Sequence, residues 1–458
     1  MKQKMEYFLH PRNIAIIGAS NNLRKSSGRI LMNLLKTNFT GDIYVVNPNH
    51  EEILGFKSYP SVLDIETDID LACIISPART VPGIVSQCVD KGVKAVVILS
   101  GGFSENGPEG EKLEREIKAV IEGEDIIVYG PNAPGFFSYE DGFGISFSPR
   151  FDPKWFRAGN IGLVSQGGTL ARAILDANEK GVGFSYWFSP GNEIGLDMND
   201  CFEFLVEDAK TDIILLVIES DFEEERFFNL VHRAYESRKP IIVLSIGKTA
   251  NTLSRMQHHF GRASKRPFPW DAIKHPGIML VDSVNEMVSL AWLFSHYEKP
   301  KNDRTIIFSW SGGSSFYIAD LAAKFAIHLP DLSEALKDKL RRRIKIRDYF
   351  TNPLDITTIV YDDIDVLTNS LEDVARSDEY DYIVVIFPFR VDYCNEMLAK
   401  KLLSLMEAHG DKVFLPVFLS QGNQKELSIE LIEKRQIPYF LNEYTAIKTL
   451  SQFIKYGK

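Results

Sequence analysis

The sequence is poor in cysteine, in cationic charge and in long apolar runs, and each shortage removes a class of protein. Only four cysteines occur in 458 residues, Cys73, Cys88, Cys201 and Cys394, and none forms a Cys-x-x-Cys pair. A disulfide-framed secreted domain and a cysteine-built zinc site are therefore not expected, no other metal site is expected, and a reducing, cytoplasmic setting fits. The 52 Lys and Arg are outnumbered by 62 Asp and Glu, for a formal net charge of −10. A nucleic-acid partner requires clustered cations to meet its phosphates, and the one basic run, 337–347, reads as the solvated face of a helix. No apolar run approaches the roughly 18 residues of a membrane-spanning helix, and the first residues reach Pro11 without an apolar signal core. No membrane partner is expected.

What remains is ordinary globular composition, 45% hydrophobic and 25% charged, in a chain long enough for about three domains. The organisation is α/β. Asn13-Ile14-Ala15-Ile16-Ile17 breaks into Gly18-Ala19-Ser20-Asn21-Asn22 before the helical spacing of Ile30, Leu31, Leu34 and Leu35. A strand, a small-residue turn and a helix start form a place where backbone N–H groups and the helix dipole meet a phosphate. Only Gly18 and Gly28 are glycine, so the turn falls short of a full Gly-x-Gly-x-x-Gly. Further β-rich runs end in Asn47-Pro48, Ser76-Pro77, Ser100 and Gly130-Pro131-Asn132, with helical stretches between most of them. Such alternation predicts a parallel, doubly wound sheet with its ligand at the carboxyl edge, a Rossmann-like domain over residues 1–140.

Residues 140–158, rich in Gly, Pro and aromatics, read as a linker. A second unit opens with a strand into Ser165-Gln166-Gly167-Gly168-Thr169 and a helix expected from Ala171 to Glu179. Its later strands are Ile213 to Ile218, ending at Glu219, and Pro240 to Leu244. The plan repeats near residue 303, where Ile306-Ile307-Phe308 runs into Ser309-Trp310-Ser311-Gly312-Gly313, and this internal duplication predicts two flavodoxin-like domains, 159–296 and 303–458. The copies differ where chemistry would be: Phe387-Pro388 replaces Glu219, and Ser420-Gln421-Gly422 replaces the loop carrying His258-His259.

A turn at a helix start, a carboxylate and an imidazole thus converge on one edge of the second unit. They are the parts that phosphorylation of a histidine requires. A glutamate that caps a strand end, a helix turn chosen for packing and a solvated His-His pair would leave the same pattern.

In number and order, the motifs resemble the α subunit of the NDP-forming acyl-CoA synthetases, the ADP-forming branch of the succinyl-CoA synthetase superfamily. The resemblance spans nearly the whole chain and rests on Ile17-Gly18-Ala19-Ser20, Val46-Asn47-Pro48, Ser100-Gly101-Gly102-Phe103-Ser104-Glu105, Gly130-Pro131-Asn132, Val164-Ser165-Gln166-Gly167-Gly168, Ser189-Pro190-Gly191-Asn192 with Asp197, Ile218-Glu219, the His259 loop and Asn352-Pro353-Leu354-Asp355. It implies a ligase that interconverts acyl-CoA plus phosphate with carboxylic acid plus CoA. It implies that CoA lies against Gly18, Ala19, Ser20, Asn47, Pro48, Ser76 and Pro77, with its thiol near Asn132. His259 would carry the phosphoryl group, Glu219 would orient the imidazole, and Ser165, Gln166, Gly167, Gly168 and Thr169 would cradle the phosphate. ADP or ATP, with Mg, would be handled by an ATP-grasp β-type partner subunit, since no Gly-rich nucleotide loop with its lysines follows residue 300. The other ligands would be CoA and a small carboxylic acid, and self-association is left open.

Three positions depart from the family pattern: Ala133 stands for a cysteine, His258 for a serine and Phe260 for a threonine. They motivate a second reading, a CoA-binding or regulatory protein that has kept the fold and lost the phosphate chemistry. A nicotinamide-dependent dehydrogenase fits less well, because the first turn lacks its third glycine and Asn47 ends the second strand where an acidic residue would hold a ribose.

Overall fold

Strands buried on both faces have no reason to alternate with polar residues, which is why Val, Ile and Leu run almost uninterrupted through the segments that form the sheets. The computed structural model describes residues 2–149, 151–256, 267–345, 349–420 and 427–456. Its first sheet comprises β1 (Asn13–Ile17), β2 (Asp42–Val46), β3 (Glu52–Ile53), β4 (Phe56–Tyr59), β5 (Leu71–Ile74), β6 (Ala95–Ile98) and β7 (Ile127–Tyr129). They are ordered β3-β4-β2-β1-β5-β6-β7 and are parallel except for the β3–β4 pair. Leaving out the short β3, this is the Rossmann order, reversing direction between β1 and β5. The helix Ser26–Leu34 covers one face by burying Ile30, Leu31 and Leu34.

The second sheet comprises β8 (Gly135–Ser138), β9 (Phe143–Ser146), β10 (Ala158–Ser165), β11 (Phe184–Ser189), β12 (Ile213–Ile218), β13 (Ile241–Ser245) and β14 (Ile278–Val281). Its order is β14-β13-β12-β10-β11-β8-β9, parallel from β14 to β11 and antiparallel beyond. The five parallel strands have the flavodoxin-like order. Residues 140–158 are more than the linker their composition suggested: Phe143 and Ile145 are buried in β9, and Asn33 donates to the Ser146 carbonyl at 2.8 Å. Glycine and aromatics masked a strand that gains its stability from packing on the first domain's helix.

The third sheet, β15 (Thr305–Ser309), β16 (Leu354–Asp355), β17 (Tyr382–Phe387) and β18 (Val413–Phe418), is all parallel in the order β16-β15-β17-β18. This repeats the flavodoxin-like order, with no fifth strand among the described residues; a single parallel bridge, Val417 to Phe440, stands in its place. The chain divides into two compact units, Met1–Val284 and Asn285–Lys458, the first two sheets sharing one. In the second unit the basic helix Glu334–Arg343 is laced by surface ion pairs of Lys337 to Asp331 and Glu334 and of Arg341 to Asp338. All four cysteines are buried and free. Among the described residues no helix is long and apolar enough to cross a membrane, and no group of three or more His, Cys, Asp or Glu is arranged to hold a metal ion.

Candidate active site

The reversal between β1 and β5 splays the loops that follow these strands and opens a crevice at their carboxyl ends. A cavity of about 420 Å³ lies there, with Gly18, Asn47, Pro48, Ser76 and Pro77 in its wall and Ile84 and Gln87 of the helix Val81–Lys91 closing one side. Gly18 has φ +93°, and a Cβ on it would stand 2.4 Å from Ser76 Oγ and 2.5 Å from the Ile75 carbonyl oxygen, so the turn passes the next strand too closely for any side chain. Ala19 and Ser20 sit behind this wall: Ala19 is buried and its carbonyl accepts from Asn47 Nδ2 at 2.8 Å, while Ser20 Oγ accepts from the Asn22 N–H. Asn132 lies apart from the crevice, after β7, with φ +56° and its amide 3.4 Å from Asn192 Oδ1.

The second corner is built on β10, β12 and β13, which are neighbours and end flush: Ser165 is paired with Val217, and Ile218 with Ser245. The helix after β10 begins earlier than its apolar spacing suggested, at Gly168, and runs to Leu175 before tightening into a 3-10 turn, Asp176–Lys180. Its first turn therefore faces the end of β12. A Cβ on Gly167 would lie 2.6 and 2.7 Å from the two carboxylate oxygens of Glu219. Glu219 is only 9% exposed, makes no ion pair among the described residues, and burial holds its carboxyl above the usual carboxylate range.

Gln166 binds the two strand ends together. Its Oε1 accepts from the Glu219 N–H at 2.6 Å and from the Ser220 N–H at 2.8 Å, and its Nε2 donates to Glu193 Oε1 at 3.1 Å and Ser220 Oγ at 2.7 Å. Ser165, fully buried, donates its hydroxyl to the Gly167 carbonyl, and Thr169 is exposed on the first helical turn. Glu219 and the 165–169 turn are thus in contact. His259 lies outside the described residues; the segment leading to it leaves the sheet along β13 and the helix Ala250–Met256, next to the strand that ends at Glu219.

Residues 12–138 match the family described as CoA binding domain, and residues 158–294 the family described as succinyl-CoA ligase like flavodoxin domain. The α subunit of ADP-forming acetate–CoA ligase II from Pyrococcus furiosus is 30% identical over 439 residues, covering 95% of this chain and 94% of its own. The chain belongs to the ADP-forming acetate–CoA ligase family.

ADP-forming acetate–CoA ligase I of Archaeoglobus fulgidus is 32% identical over 456 residues, 99% of this chain, and the chain spans 64% of that relative's length. Among solved structures, the dinucleotide forming acetyl-coenzyme A synthetase 1 of Ca. Korarchaeum cryptofilum, in complex with phosphate and ADP, superposes with a TM-score of 0.87 at 26% identity, covering 99% of this chain and 96% of its own. The fold of this ligase-family chain is therefore shared over its whole length.

Two sets of contacts at this ligase-family site escaped the sequence reading. Gln166, expected to cradle phosphate, also bonds the Glu219 and Ser220 N–H groups, Glu193 and the Ser220 hydroxyl. Asn192 of β11's following turn was quoted in a motif without a role; its Nδ2 lies 2.6 Å from Glu105 Oε2, 2.8 Å from Glu114 Oε1 and 3.2 Å from Ser104 Oγ, tying the second sheet to the first domain beside Asn132. The only signal was that Ser104-Glu105 and Gly191-Asn192 are both polar breaks after apolar strands.

Proposed function

We propose that the chain is the α-type part of an ADP-forming acyl-CoA ligase, working with an ATP-grasp β-type subunit. The observation that carries this reading is the buried Glu219 carboxylate set against the Gly167-Gly168 corner, at the end of a strand flanked by the one that leads to His259. CoA would occupy the 420 Å³ crevice, where a backbone without Cβ at Gly18 and a neutral lining from Asn47 and Ser76 suit a ligand brought close to the main chain. Its thiol would reach toward Asn132.

Phosphate attacks the acyl-CoA carbonyl and expels CoA as its thiol, giving an acyl phosphate. The His259 imidazole then takes the phosphoryl group and releases the carboxylate. The N–H groups of the first helical turn, Gly168 and Thr169, offset charge that develops on the phosphoryl oxygens. Glu219 holds the imidazole's other ring nitrogen, and its burial, which raises its carboxyl above the usual carboxylate range, keeps competing water from that contact. The partner passes the phosphoryl group from His259 to ADP, with Mg; the reverse sequence activates a carboxylic acid.

The test is phosphorylation of the whole chain with an ATP-grasp subunit of the family, ATP and Mg. An acid-labile, base-stable phosphohistidine is expected, absent in His259→Ala; undiminished labelling of that variant removes His259 from the mechanism. Calorimetric CoA binding with no labelling under any partner condition would instead support the CoA-binding, non-catalytic reading that His258, Phe260 and Ala133 motivate.

A further inference from the structure

The carboxyl edge of the first sheet continues past the crevice toward the second sheet. Ser76, in the crevice wall, donates its N–H to Ser100 Oγ at 2.9 Å, and the Ser100 carbonyl accepts from the Asn132 N–H at 2.9 Å. One residue thus separates the crevice wall from Asn132. From β1 to β7 the edge crosses three strand spacings, roughly 14 Å, a distance that an extended ligand seated at Gly18 can cover. At its far end the turn after β11 closes on the same segment. The Asn192 N–H donates to the Pro131 carbonyl at 2.8 Å, and the Ile194 N–H to the Gly130 carbonyl at 3.0 Å.

A side-chain amide has a donor end and an acceptor end, and the neighbours here fix which is which. Glu105 Oε1 accepts from the Gly102 and Phe103 N–H groups at 2.5 and 3.1 Å, which leaves Oε2 for Asn192. Glu114 Oε1 accepts from the Ser104 N–H at 3.1 Å and faces Asn192 as well. Two carboxylate oxygens therefore claim Asn192 Nδ2, at 2.6 and 2.8 Å, and Asn192 Oδ1 is left for Asn132, whose Nδ2 lies 3.4 Å away. Asn192 and Glu114 are buried, so water competes little for these bonds. The Asn132 amide is then set too. Its Oδ1 accepts no hydrogen bond among the described residues and stands 3.2 Å from the place of a Cβ on the exposed Gly101, where the missing side chain leaves an open approach.

We infer that Asn192 is a positioning residue: held by Glu105 and Glu114, it sets the Asn132 amide so that Oδ1 accepts from a donor at the thiol end of CoA. That donor is the last amide N–H of the pantetheine arm or the thiol S–H. The relay runs from the first sheet to the sheet bearing the 165–169 turn, so it fixes the sulfur relative to the phosphate. This rests on the proposed ligase reading for the path of CoA along the edge.

The two carboxylates differ under the same loss of charge. In Glu105→Gln the Gly102 and Phe103 N–H groups retain the amide oxygen, which turns an NH2 group on the Asn192 NH2. In Glu114→Gln a single oxygen serves both Ser104 and Asn192, and the amide oxygen keeps that place. Calorimetry of CoA with the whole chain should show Kd raised at least about fivefold by Glu105→Gln, the worth of one hydrogen bond, and a distinctly smaller rise in Glu114→Gln. Glycine suits the φ of +56° at Asn132, and in Asn132→Gly the further effect of Glu105→Gln should fall below about twofold, because the relay acts through the missing amide. An unchanged Kd in Glu105→Gln, equal effects of the two carboxylates, or a Glu105→Gln penalty that persists in Asn132→Gly overturns the inference. Should Glu105→Gln not fold, Asn192→Ser is put through the same cycle, and a penalty that persists in Asn132→Gly is again fatal. Desulfo-CoA separates the donors: the loss recurs with it if the amide N–H is bound and disappears if the S–H is. Labelling of His259 by ATP and the partner needs no CoA, so labelling without the expected Kd pattern overturns this inference and leaves the ligase reading standing.

Discussion

Replacing Gly167 by alanine isolates the contact on which the proposed chemistry depends. The added Cβ would stand 2.6 Å from the nearer Glu219 oxygen, so about 0.8 Å of movement is needed to reach ordinary van der Waals contact at 3.4 Å. The carboxylate cannot yield freely, because the Glu219 N–H is held by Gln166 at 2.6 Å and the side chain is buried. Overpacking of this kind costs about 1–3 kcal/mol, which urea unfolding resolves. A displacement close to 1 Å of a group that orients a nucleophile lowers rate by about 100-fold, so the initial rate of phosphohistidine formation should fall by up to that factor. A double-mutant cycle locates the cause. With Glu219→Ala in place the Cβ meets no carboxylate, and Gly167→Ala should then cost close to nothing, leaving a coupling of about 1–3 kcal/mol. Equal costs in both backgrounds, or an unchanged labelling rate in Gly167→Ala, would refute the argument that this glycine is there for Glu219.

Three further outcomes follow from the same geometry. Because burial raises the Glu219 pKa, the folded chain keeps that proton at pH values where the unfolded chain, with a carboxyl near about 4.3, has lost it; stability should decline as pH rises from there through the folded value, and Glu219→Gln should flatten that part of a Tm-against-pH curve. Gln166→Leu leaves the buried Glu219 N–H without its acceptor and should cost about 1–3 kcal/mol in urea unfolding, with a slower labelling rate. Gly18→Ala puts a Cβ 2.5 Å from the Ile75 carbonyl oxygen at a positive φ, and is expected to destabilise the first domain by about 1–3 kcal/mol. Calorimetry should show CoA affinity reduced at least tenfold by that change, about 1.4 kcal/mol.

Much of this was written into local pattern. Uninterrupted apolar runs separated by helical spacing leave few topologies open, and short right-handed crossovers then place Gly18, Asn47 and Ser76 at one crevice and Ser165 to Thr169 beside Glu219. β9 was not legible, since Phe143-Gly-Ile-Ser carries no turn-bounded strand signal and is stabilised by a helix more than a hundred residues earlier. Nor was the aromatic cavity beside Gly168, whose rings come from 137, 139, 147, 151, 156 and 187 with no period linking them.

By itself, then, the order of residues determined three doubly wound sheets and which strand ends carry polar groups, because backbone hydrogen bonding and apolar periodicity act over a few residues at a time. Only the tertiary structure decided that the Gln166 amide meets the Glu219 and Ser220 N–H groups, that Asn192 reaches Glu105 and Glu114, and that Phe137 and Trp187 share the wall of a roomy cavity. Side-chain hydrogen bonds and cavities arise where segments distant in sequence happen to meet, and the distances that settle them do not exist until the chain has folded.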